Sequence, residues 1–181
     1  HAGAGTQEIQ DTWSCNGQVE AFKGTFLHKQ IELVLQKLGE LQWLSGRRRA
    51  PVSSLLGESE VLAALKDAAA PWKVMSSLVK HIEIDLWDHP TVQSFLRSTD
   101  CGTNGFNKFL SWLQAHGSWS PYRAEYSIYD EIEQIAGTVD SLWFDESGKI
   151  VMVDWKRCRQ LLTGDLSQQS QQVFNGRRGL V

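Results

Sequence analysis

The chain is expected to fold as one α/β domain, a mixed sheet led by a meander and flanked by helices, with a helical insertion between the first helix and the sheet. Three observations predict this. After Thr25, apolar residues recur at three- and four-residue steps (Leu27, Ile31, Val34, Leu38, Leu41), the period of a helix with one buried face. Two β-branched and aromatic runs, IAGTVDSLWF (135–144) and IVMVDWKR (150–157), flank the polar, Gly-containing loop DESGK, which is a hairpin signal. Between these two regions the chain turns repeatedly helical. With 181 residues, 41% of them hydrophobic and 22% charged, it can bury one substantial core. We read 1–181 as a single domain, with 1–20 as a tail and 47–120 as the insertion.

Residues 1–20 are polar and Gly-rich without a sustained period, hence the tail. Thr25 is placed to cap the first helix and Gly46 to end it. Arg47 to Gly57, with Pro51 and two serines, reads as a loop. Ser59 to Ala70, Pro71 to about Trp87, and Pro90 to Ser98 read as helices, two of them with proline in the first turn. Asp100 to Asn104 is a turn, and Gly105 to His116 is helical through Phe106, Phe109, Leu110 and Leu113. Trp72, Trp87 and Trp112 on these helices are expected in the core. Gly117 to Pro121 connects to a first strand, Arg123 to Asp130, with Glu125, Ser127 and Tyr129 on one face. The run DEIE forms the turn into the hairpin.

On the last strand Ile150 to Val153 is apolar enough for a buried central position, and alternation puts Asp154 and Lys156 on one face with Val153, Trp155 and Arg157 on the other. Charges beside such a run need a partner or a task. If Asp140 lies across from Asp154, two carboxylates meet one lysine, and a divalent cation with a taste for oxygen, Mg2+ or Mn2+, compensates them best. His28 and Glu32, four apart, share a face of the first helix. Cys15, Cys101 and Cys158 are odd in number and scattered, which excludes a disulfide framework, a CxxC zinc site and a four-cysteine cluster. His81, His89 and His116 have no ligand-like spacing. The net charge of −3 gives no global basic field, so nucleic-acid affinity would come from local patches such as Arg47-Arg48-Arg49 or Arg177-Arg178.

The order Glu125, Gly137-Thr138-Val139-Asp140, Val153-Asp154-Trp155-Lys156-Arg157 resembles the PD-(D/E)xK nuclease superfamily. Gly24, His28 and Glu32 upstream match the GxxxHxxxE pattern of its RecB-like branch. The match covers about Gly24 to Glu32 and Tyr122 to Arg157. This resemblance implies a restriction-endonuclease-like fold and hydrolysis of phosphodiester bonds, more in DNA than in RNA, with Mg2+ or Mn2+ as cofactor. It implies catalytic roles for Glu125, Asp140, Asp154 and Lys156. The metal would be held by Asp140, Asp154, His28 and the backbone carbonyl of Trp155, with Glu32 in support. Arg47, Arg48, Arg49, Arg123 and Arg157 would meet nucleic acid, and the insertion would help shape a passage for a single strand. The family continues into a QxxxY helix and a last strand, and no Gln-x-x-x-Tyr follows Lys156. The domain is therefore expected to be C-terminally incomplete, with a partner or second chain completing the sheet. The alternative function is a catalytically inactive nuclease-fold module for nucleic-acid binding or protein assembly. No long apolar span or signal-peptide pattern is found, so an intracellular protein, in the nucleus or another DNA-containing compartment, is expected.

Overall fold

The apolar stripe of the first helix runs well beyond Thr25 in the N-terminal direction, because Val19, Phe22 and Phe26 continue its three- and four-residue steps and are buried. In the computed structural model, which describes residues 5–44, 46, 49–57, 59–79, 88–98 and 103–157 (backbone only for 6–13, 15 and 103), this helix, α1, spans Thr6–Leu44. The expected tail is therefore helical from Thr6. Thr25 does not cap; its Oγ1 donates to the Ala21 carbonyl one turn back, 3.1 Å away. Gly46 does end the helix, with φ +66° and its N–H on the Trp43 carbonyl.

The stretch expected as a loop contains a short helix, α2 (Val52–Leu56), because Val52 and Leu55 are buried and the N–H groups of Val52 and Ser53 donate to the carbonyls of Trp119 and Gly117. Next come α3 (Ser59–Ala68), α4 (Pro71–Leu78), α5 (Pro90–Arg97) and α6 (Thr103–Ala115). His89 Nδ1 accepts the Thr91 N–H at the start of α5. The expected continuation of α4 to Trp87, together with His81, Cys101, Cys158 and the Arg177-Arg178 pair, lies outside the described residues. Two clusters divide the core along α1. Its C-terminal half packs Ile31, Val34, Leu35 and Leu38 with α2, α3, α6 and Trp143. Its N-terminal half packs Val19, Phe22 and Phe26 with Val74, Leu78 and Val92. Trp112 joins the first cluster, with Trp155, Trp143 and Trp119 edge-on around it at 4.8, 5.2 and 5.8 Å. Trp72, expected in the core, is 64% exposed, since α4 turns Val74 and Leu78 inward instead. No described helix is long and apolar enough to cross a membrane.

Strands β1 (Ser120–Asp130), β2 (Ile135–Phe144) and β3 (Ile150–Val153) form an antiparallel sheet in the order β1-β2-β3. Among the described residues no strand runs parallel, so the mixed sheet is not found. The short turns force neighbours in sequence to pair. For the same reason β2 is central and β3 is an edge, with Ile150 and Met152 exposed where a buried strand was expected. The turn 131–134 follows Asp130, whose Oδ1 accepts from the N–H groups of Ile132 and Glu133. In the second turn Asp145 Oδ1 takes the N–H groups of Ser147 and Lys149 and the Ser147 hydroxyl, and Gly148 supplies φ +79°. β3 stops at Val153, earlier than the sequence suggests, because the Trp155 N–H turns to Asp140 Oδ2 at 2.7 Å rather than to the strand ladder.

Candidate metal centre

Three elements converge on one point. α1 brings His28 and β2 brings Asp140, with His28 Nδ1 3.6 Å from Asp140 Oδ2. β1 brings Glu125, which lies between the register pairs Ala124↔Ser141 and Tyr126↔Val139 and so across from Asp140. One ligand atom from each of the three residues lies within 4.8 Å of the others. Glu125 adopts φ +47°, a left-handed conformation that costs a non-glycine residue on the order of 1 kcal/mol. Local strain of this kind is concentrated at functional sites.

The electrostatics of the group favour a cation. The Glu125 carboxyl is held above the usual carboxylate range, first by its partial burial within an otherwise exposed residue, then by the negative charges of Asp140 and Glu32; His28 and Lys29 oppose this. A cleft of about 440 Å³ opens over the group, lined by Gly24, Thr25, His28, Lys29, Glu32, Leu78 and Glu125. Glu32 is fixed on its own helix by Lys29 Nζ at 2.6 Å and Gln36 Nε2 at 2.8 Å. One imidazole nitrogen and two carboxylates suit Mn2+ better than Mg2+, which prefers oxygen alone.

Of the residues singled out in the sequence, His28, Glu125 and Asp140 come together, with Glu32 at the cleft wall. Asp154 stays outside the group because β3 ends before it. It pairs with Lys156 at 3.0 Å on the surface. That hydrogen bond holds the Lys156 ammonium above its ordinary proton affinity, with the Asp140 charge adding to it. Trp155 meets the site through its N–H. Arg157 is bound to Glu20 Oε2 at 2.5 Å. Arg49 lies over the Phe144 ring, and Arg123 over Tyr122 and Tyr126. Arg47 and Arg48 lie outside the described residues.

Two residues at or behind the site escaped the sequence reading. Lys29 follows His28 and stands three before Glu32, a spacing that already puts it at the cleft. Ser141 carries no such signal: its hydroxyl accepts the indole N–H groups of Trp143 and Trp155 at 3.0 and 3.2 Å and donates to the Val153 carbonyl at 3.2 Å, locking β2 to the chain beyond β3. No family model, curated protein or solved structure matches the chain.

Proposed function

We propose that the chain is a metal-dependent nuclease of restriction-endonuclease-like fold that hydrolyses phosphodiester bonds, with DNA as the favoured substrate. The observation that carries this reading is the meeting of His28, Glu125 and Asp140, from three separate elements, under an open cleft. These residues would hold Mn2+ or Mg2+, which when bound polarises the phosphate and lowers the proton affinity of a water. The chain's own groups do the rest. The Trp155 N–H holds Asp140 Oδ2 in place and leaves the carboxylate's charge available. Lys29, gripped by Glu32, puts a fixed cation at the cleft wall where a phosphate would enter. Lys156, hydrogen-bonded to Asp154 at 3.0 Å, would orient or deprotonate the attacking water or help neutralise the developing charge.

The test is cleavage of end-labelled single- and double-stranded DNA with and without Mn2+, in the wild type and in Asp140→Asn. We expect cleavage that requires metal and is lost in the variant. The second reading, an inactive nuclease-fold module, is favoured by one observation: Asp154 and Lys156 face solvent and satisfy each other. Absence of cleavage at millimolar Mn2+ would decide for it.

A further inference from the structure

We infer that the start of the sheet carries a built platform for single-stranded nucleic acid, made of guanidinium groups laid against aromatic rings. Arg49 lies 4.4 Å over the Phe144 ring, Phe144 meets Tyr122 at 4.9 Å, and Arg123 covers Tyr122 at 5.4 Å and Tyr126 at 4.9 Å. The row comes from the register. The ladder shifts between Pro121 and Arg123, so Tyr122 is the extra residue of a bulge and leans on Phe144 of the neighbouring strand, while Arg123 keeps its pairing with Leu142. Arg49 is delivered beside them by a left-handed backbone, φ +63°, just before α2.

Three properties of this row point to a nucleic-acid strand as its occupant. Both arginines are exposed, and among the described residues neither has a carboxylate within ion-pair distance, unlike Lys29, Lys73, Lys156 and Arg157. Among the described residues their charge is thus uncompensated. Arg49 rests on one ring and Arg123 on two, which restricts their rotamers while both side chains stay exposed, so their N–H groups can meet a phosphate. Tyr122 and Tyr126 are 45% and 37% exposed, enough to offer part of a ring to a base. Stacked bases in a duplex cannot be reached this way, so the platform selects unpaired strands. It deepens the nuclease reading by naming the strand type, yet it needs neither metal nor cleavage.

The experiment follows fluorescence anisotropy of a labelled oligothymidylate of about 12 nucleotides in EDTA, where no metal-dependent chemistry intervenes, over a series of salt concentrations. Wild type should bind the single strand at least tenfold more tightly than a duplex of equal length. Arg49→Ala with Arg123→Ala should weaken binding and lower the slope of log affinity against log salt by about 0.7 per arginine. Arg123→Lys keeps the charge and loses the flat stacking face; it should retain the slope but lose affinity, and Tyr122→Ala with Tyr126→Ala should do the same. Equal binding of duplex and single strand, or an unchanged affinity in both double variants, would overturn the proposal. So would tighter binding of a proline-rich peptide to the same face. Binding is read in EDTA and cleavage with Mn2+, so failure of the metal site and failure of the platform read out separately.

Discussion

A single hydroxyl secures the floor of the site. Ser141 is wholly buried and uses every hydrogen-bonding capacity it has, two acceptances and one donation. Ser141→Ala leaves the Trp143 and Trp155 indole N–H groups without that acceptor, and the Trp143 one lies in the core. A loss of about 1–3 kcal/mol in a urea unfolding series is expected. Ser141→Thr keeps the oxygen and should recover most of it if the added methyl is accommodated. Because Trp155 also donates its backbone N–H to Asp140, Ser141→Ala should weaken Mn2+ binding as well. None of this was legible in the sequence, where Ser141 is one polar residue between two strand positions. The order of His28, Glu125 and Asp140 singled out in the sequence the three residues that the fold brings within 4.8 Å of one another. Asp154 lies outside the three-residue group, since strand alternation does not continue past Val153, where the Trp155 N–H goes to Asp140 Oδ2.

At the scale of elements, the length of α1 and the geometry of the hairpin turn each carry a test. The helical period is legible only from Thr25 because residues 1–20 are polar and Gly-rich, yet Val19 and Phe22 are buried with Phe26, which meets Phe95 edge-on at 5.5 Å. Phe26→Ala should cost about 3–5 kcal/mol in the same unfolding series. Val19→Ala, within the stretch 1–20 expected as a tail, should also lower stability, and were that stretch a tail it would cost nothing. The second turn depends on Asp145, whose carboxyl is held below the usual carboxylate range, first by the Ser147 hydroxyl and then by the Lys149 N–H. A lowered value in the folded state means that the contribution is present above the unfolded value, about 3.9, and is lost as pH falls through the folded value. Asp145→Ala should therefore lower the melting temperature at neutral pH, with the gap from wild type closing in acid. Asp145→Asn, which keeps an acceptor oxygen, should recover much of the loss without that pH dependence. Hairpin strands and turn were readable because both turns use local chemistry. The rank of β3 at the sheet edge was not, since an apolar run looks alike in a central strand and in an edge strand.

For the molecule as a whole, the site should link folding, protons and metal. Glu125 has its proton affinity raised in the folded state by burial and by Asp140 and Glu32, so the folded chain binds that proton more readily than the unfolded one. In the absence of metal, stability should rise as pH falls from neutral towards the unfolded carboxylate value, about 4.3, and Glu125→Gln should remove this rise while raising the melting temperature at neutral pH. A cation bound by His28, Glu125 and Asp140 neutralises the same excess charge. It also binds only where α1, β1 and β2 are assembled, so it stabilises by mass action, about 2.7 kcal/mol at a hundredfold excess over its dissociation constant. Mn2+ should thus raise the melting temperature at neutral pH, the rise should shrink as protons displace it in acid, and Asp140→Asn should abolish it. Calorimetric scans of the wild type, Glu125→Gln and Asp140→Asn, each with and without Mn2+, provide the measurement. A stability that rises in acid in the wild type but shows no manganese shift at any pH would leave the three residues as a crowded carboxylate pair beside an imidazole, and would remove the metal from the proposed function.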